Sequence, residues 1–198
     1  MPLDPLADLV ARINALPGAR VVVAMVGPPA SGKSTLAETL AERSGGRVLP
    51  MDGFHLDDRV LGPRGLLPRK GAPETFDLGG LSRTLTALRS GVEVVHPVFD
   101  RSREIAIAGA GVIPAACRVV VVEGNWLLLD VPGWRELGPW DLTVRLEVPE
   151  EALRARLEDR WAHLTPKARV AKIDDNDLPN ARLMRDRSRV ADVVFSRD

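Results

Sequence analysis

The sequence predicts an α/β protein of three layers, a mostly parallel five-stranded sheet with helices on both faces. Three observations carry this. Val21–Val26 is an unbroken, valine-rich run bounded by glycine and too short for a buried helix, as expected of a strand covered on both faces. Similar runs alternate with segments of helical periodicity, the order that builds doubly wound parallel sheets. The first run also passes through a glycine-rich turn straight into a helix.

Each element has its own warrant. Asp4-Pro5 reads as a cap and first-turn proline, and Leu6, Leu9, Val10, Ile13 and Leu16 recur at helical spacing until Pro17-Gly18. A helix runs from Gly32 to about Arg43 and stops at Gly45-Gly46. Val48–Met51 is a short strand. Residues 53–76 are rich in Pro, Gly and Arg, a length of loop that is usually functional. Leu78–Arg89 reads as helix, Val92–Phe99 as strand, and 104–114 as a small hairpin. Arg118–Val122 and Leu142–Val148 are strands. Glu150–Trp161 is a helix, Thr165-Pro166 caps another, 178–189 forms a third, and Val193–Phe195 is a final strand. Trp126, Trp134 and Trp140 are expected to pack a helix on the sheet, with Trp161 under a lid.

Composition narrows the function. Of 198 residues, 27 are Lys or Arg and 27 Asp or Glu, so the net charge is zero, against a nucleic-acid-coating role. Tyrosine is absent and aromatics total 4%, against a base-stacking platform. The single cysteine, Cys117, rules out an intrachain disulfide and reads as inert packing. The N-terminal MPLDPLADLV carries acids where a secretion signal is basic, and no apolar run approaches a membrane span. The expectation is a soluble, cytoplasmic protein with no membrane partner.

The strongest motif is Gly27-Pro28-Pro29-Ala30-Ser31-Gly32-Lys33-Ser34-Thr35, which matches the P-loop pattern G-x-x-x-x-G-K-[ST]. Its glycines let backbone N–H groups close around phosphates, and the following helix N-terminus adds positive charge. Lys33 is placed to reach the β- and γ-phosphates of ATP and the Ser34 hydroxyl to hold Mg²⁺. The fold is thus expected to be of the P-loop NTPase type, one domain over 1–198 with a small helical lid near 154–172.

Two acids point to phosphoryl transfer. Asp52 follows one strand and Glu123 ends another, and ligands sit at the carboxyl ends of parallel strands. Kinase chemistry needs a base for the acceptor hydroxyl, the role expected of Asp52, and a carboxylate for Mg²⁺, that of Glu123. The glycine after each permits a tight turn. Arg156 and Arg160 share a helix face and either fold over the phosphates or form a solvated face with Glu158 and Asp159.

Together GPPASGKST, MDGFH, PETFD and VVVEGNWLLL resemble the P-loop kinases that include uridine kinase, phosphoribulokinase and bacterial pantothenate kinase. KGAPETFD, HPVFDR, EGNWLLLD and NDLPNA resemble a bacterial nucleoside/nucleotide kinase-like branch, also labelled fructose-transport-system kinase. The resemblance spans Val21 to Val194. It implies that Asp52 is the base, that Glu123 lies near Mg²⁺, and that Asp77 matches an acid that bonds sugar hydroxyls. It puts Arg156 and Arg160 near the lid arginines and Asn176 and Asn180 at the adenine pocket. It also implies a monomer or homodimer. His55 and Phe99 stand where uridine kinases carry tyrosine, a departure that bears on uridine as substrate.

For the acceptor, Asp77 and His55 suit a neutral polyol, whereas Arg64, Lys70 and Arg101 suit a carboxylate or phosphate, with Phe99 beside them. The leading expectation is a kinase of a small hydroxyl-bearing molecule. A nucleoside-monophosphate kinase and a non-catalytic ATP-binding regulator are the alternatives. A GTPase switch is disfavoured because no N-K-x-D motif is present.

Overall fold

The protein is represented by a computed structural model that describes residues 4–196; Met1–Leu3 of the N-terminal stretch lie outside the described residues. Strand β1 (Val21–Val26) is central in a five-stranded sheet of order β2-β5-β1-β6-β7, with β2 Arg47–Pro50, β5 Val119–Gly124, β6 Leu142–Glu147 and β7 Val193–Ser196. Every pairing in it is parallel. All six β1 residues are buried because both faces of the sheet are covered.

Alternation divides the core in two. Val21, Val23 and Met25 pack under α1 (Pro5–Ala15) and α2 (Lys33–Arg43) through Ile13, Leu36 and Leu40. Val22, Ala24 and Val26 face the other way, onto α4 (Leu78–Arg89) through Leu81, Leu85 and Leu88, with Trp126 and Trp134 in the same cluster. The Asp4 carboxylate caps α1 by accepting from the Leu6 N–H at 3.1 Å.

Two segments differ from the sequence reading. Residues 104–114 are not a hairpin of their own: β4 (Ile105–Ile113) pairs antiparallel with β3 (Val94–Asp100), and the turn between them is 101–104. Local composition shows a turn but not its partner. Residues 53–76 are built from short helical pieces, among them α3 (Asp58–Leu61) and 3-10 turns at Leu67–Arg69 and Pro73–Thr75. The buried Trp126 indole N–H donates to the Gly71 carbonyl at 3.0 Å and ties this segment to the end of β5.

After β6 come α5 (Glu150–Arg160) and α6 (Pro166–Lys172), the latter capped by Thr165. A π-helical turn, Ile173–Asp177, leads into α7 (Leu178–Arg187). Leu157, Ile173 and Leu178 form a separate small core here, with Trp161 and Ala30 against it.

Candidate active site

The P-loop leaves β1 at Gly27 and enters α2 at Lys33. Gly32 sits at φ +85°, a conformation open to glycine, and turns the chain into the helix. Pro28 and Pro29 carry no N–H, so the phosphate-facing donors fall to Ala30 through Thr35. Lys33 is buried, and its ammonium makes no hydrogen bond among the described residues.

Lys33 acts on two acids. Glu123, 4% exposed at the end of β5, accepts from the Ser34 hydroxyl at 3.3 Å through one oxygen, while its other oxygen is buried without a partner. Burial pushes the Glu123 carboxyl above its usual range, Lys33 opposes this, and the charge of Asp52 adds to it. An orphaned carboxylate oxygen beside a P-loop hydroxyl fits Mg²⁺. No group of three His, Cys, Asp or Glu suited to a metal occurs among the described residues, so Ser34 and Glu123 would share such an ion with the phosphates.

Asp52 lies just past β2, in the 3-10 turn Met51–Phe54. Burial alone would raise its carboxyl, but the positive charges around it, Lys33 foremost, then His55, Arg101 and Arg160, hold it below the usual carboxylate range. Arg101, from the β3–β4 turn, donates to Asp52 Oδ2 at 2.6 Å. The glycine after each acid stands where the chain turns out of the sheet, and it serves close packing as well. A Cβ on Gly53 would stand 2.2 Å from the Pro97 carbonyl oxygen, and one on Gly124 would stand 2.5 Å from Met51 Cβ. Both allow close packing that brings the two strand ends and the β3–β4 hairpin together.

The remaining wall comes from the 53–77 segment and the hairpin. The His55 ring lies 4.2 Å from Phe76 and 4.6 Å from Phe99, and its Nδ1 is 2.8 Å from the Asp52 carbonyl oxygen. Burial keeps the imidazole below its ordinary pKa, against the pull of Asp52. Lys70 donates to Asp58 and to the Glu104 carbonyl, each at 2.7 Å, and lies 5.6 Å over the Phe99 ring. At the end of α5, Arg160 stacks on Trp161 at 5.0 Å, and the Trp161 indole donates to buried Asp177 at 2.8 Å.

The structure therefore gathers Pro29, Lys33, Asp52, His55, Lys70, Phe99, Arg101, Arg160 and Asn180 around one small pocket. Arg156 donates to the Ser31 carbonyl at 3.4 Å, behind the P-loop. Gly27, Pro28, Ala30, Ser31, Gly32, Ser34 and Thr35 form the rest of the loop.

Three expected residues lie as follows, and one of them, Asp77, shares a cleft with His55 beside α4 and the β3–β4 hairpin, next to the Asp52 pocket. Asp77 is exposed, accepts from the Gly80 N–H at 2.8 Å, and caps α4. Arg64 is exposed in a turn and does not line the pocket. Asn180 is buried against Asn176 at 3.3 Å and faces the Asp52 pocket. A second slot, of about 380 Å³, opens beside Pro28 between the end of β6 and α7, lined by Leu146, Val148, Leu153 and Met184.

Asn125, Trp161, Lys172, Asp177 and Glu104 also line the Asp52 pocket. The sequence carried a signal for some of them: Asn125 stands two residues after Glu123, and Asp177 ends the polar run 174–177, with Asn180 three residues on.

No family model matches the chain. It is similar to the "Uncharacterized protein YggC" of Escherichia coli strain K12, 36% identical over 96% of this chain and 84% of that one. It is similar to the "Putative uridine kinase C227.14" of Schizosaccharomyces pombe, 31% identical over 89% of this chain and 83% of that one. Its fold superposes on a solved "putative fructose transport system kinase" from Silicibacter sp. TM1040 at a TM-score of 0.90, with 48% identity over 96% of this chain and 98% of that one. With a P-loop between β1 and α2, two acids at the strand ends and relatives of this kind over nearly its whole length, the chain belongs to the P-loop kinases that include uridine kinase and pantothenate kinase, and is a phosphotransferase.

Proposed function

We propose that this protein transfers the γ-phosphoryl group of Mg-ATP to a hydroxyl of a small molecule, the whole chain acting as one kinase domain. The observation that carries this is the placement of ionised Asp52 in one pocket with Lys33 and Arg160. Asp52 orients the acceptor hydroxyl and takes its proton as the new O–P bond forms and the bond from the γ-phosphorus to the β-bridging oxygen breaks. Lys33 and Arg160 face the charge that develops on the transferring group. Arg156 braces the P-loop through Ser31.

Ser34 and Glu123 would hold Mg²⁺, which when bound offsets phosphate charge. The slot beside Pro28 takes the nucleoside of ATP, a role that its apolar lining supports and that the orientation of Asn180 does not. α5 and α6 form the lid.

The test is acceptor-dependent ADP release with Mg-ATP over a panel of nucleosides, sugars, pantothenate and nucleoside monophosphates. Asp52→Asn should lower turnover by about 10²–10⁴-fold, the usual scale of a lost general base, with ATP binding retained. Turnover unchanged in Asp52→Asn would remove Asp52 from the chemistry. Tight ATP binding with no acceptor-stimulated turnover across the panel would favour the regulatory alternative.

A further inference from the structure

Of 27 basic residues only four are lysine, and three of these, Lys33, Lys70 and Lys172, line the Asp52 pocket. Their situations differ. Lys33 acts on the two acids of the phosphate side. Lys70 is ion-paired with Asp58 at 2.7 Å. Lys172 is half-buried, has no carboxylate within ion-pair distance among the described residues, and donates only to the Lys70 carbonyl oxygen, at 3.2 Å. Its ammonium lies 5.3 Å from the Trp161 ring, which also carries Arg160 at 5.0 Å. Burial lowers its pKa. Asp177 and Glu104 oppose that from a distance, and Arg160 and Lys70 add to it.

A half-buried ammonium without a paired charge is costly, and a bound anion removes the cost. The position of Lys172 indicates which ligand brings that anion. It holds the backbone of Lys70, whose side chain covers Phe99, which in turn packs on His55. That wall belongs to the acceptor side and not to the P-loop. Two pocket acids are already engaged: Asp52 by Arg101 and Asp177 by Trp161.

We propose that Lys172, flanked by Arg160 and Lys70, forms a subsite for an anionic group on the acceptor, so that the substrate is a small hydroxyl compound already bearing a phosphate or carboxylate. This rests on the kinase reading above and narrows it. The same anion draws the pocket cations to itself, which favours release of Arg101 from Asp52 as the hydroxyl arrives.

The experiment saturates the protein with Mg·AMP-PNP, so that the P-loop is filled, and titrates inorganic phosphate and, separately, malonate by calorimetry. Saturable binding is expected for at least one. Lys172→Gln should weaken it at least tenfold, Lys172→Arg should restore most of it, and Arg64→Gln, outside the pocket, should leave it unchanged. Stronger phosphate binding assigns a phosphorylated acceptor, and stronger malonate binding a carboxylate. No saturable anion binding, or binding indifferent to Lys172→Gln, overturns the subsite. So does a parallel tenfold loss of AMP-PNP affinity in Lys172→Gln, which would give Lys172 to the nucleotide. Turnover of fructose, uridine or pantothenol, without that of fructose 6-phosphate, UMP or pantothenate, overturns the subsite but upholds the kinase reading. Failure to bind AMP-PNP overturns the kinase reading itself.

Discussion

Asp52 and Glu123 share one environment and titrate in opposite directions, because the cations crowd the first and burial dominates the second. The sign of the Glu123 effect can be measured. Its folded-state pKa lies above the unfolded value of about 4.3, so above that pH the native state holds more proton than the unfolded chain, and stability falls as pH rises. Without nucleotide, Glu123→Gln should therefore melt above wild type at pH 8, by about 2–4 °C if the relief is near 1 kcal/mol, with the gap shrinking towards pH 5. Mg-ADP should reverse the order, because only the carboxylate gains from the metal. Scanning calorimetry at the two pH values checks both. Asp52, Glu123, Lys33 and Ser34 were legible in the sequence because strand ends and the P-loop fix where they lie. Lys172 was not, because its approach depends on how α6 packs against the 53–77 segment, which no local pattern encodes.

Among the elements, α4 shows how a chemistry-bearing residue can be taken up by capping. Asp77 satisfies the Gly80 N–H at the start of α4 and stands outside the Asp52 pocket. Asp77→Ala should cost about 1 kcal/mol, a loss of one cap. It should leave the KM of the acceptor within twofold; a large rise in KM would return Asp77 to the sugar-binding role. Denaturant unfolding and steady-state kinetics separate the two. The helix itself, Leu78–Arg89, was readable to the residue from its periodicity, while β4 was not, since its partner β3 is known only from the fold. Between α6 and α7 a π turn, Ile173–Asp177, carries the buried Asn176 and the pocket-lining Asp177. Nothing in IDDND distinguishes that turn from a plain helix end.

For the molecule as a whole, the sheet separates structural from chemical duty. Its two faces hold independent cores, and the site lies beyond the carboxyl ends of β1, β2 and β5. Ile13 is fully buried between α1 and the sheet, so Ile13→Ala should cost about 2–4 kcal/mol by chemical denaturation while kcat at 25 °C holds. Parallel order was legible from strand–helix alternation, and the cover on both faces of β1 from its unbroken apolar run; its central place was not, since β5 is buried just as fully. No described helix is long and apolar enough to cross a membrane. The distribution of lysine has a practical consequence. Lys167 is exposed on α6, whereas Lys33, Lys70 and Lys172 are all shielded in the pocket. Amine-acylating reagents will therefore mark Lys167 at once and the other three only as the pocket becomes accessible. Acylation of Lys33, Lys70 and Lys172, followed peptide by peptide in the mass spectrum, then reports how often the pocket opens, with no engineered label.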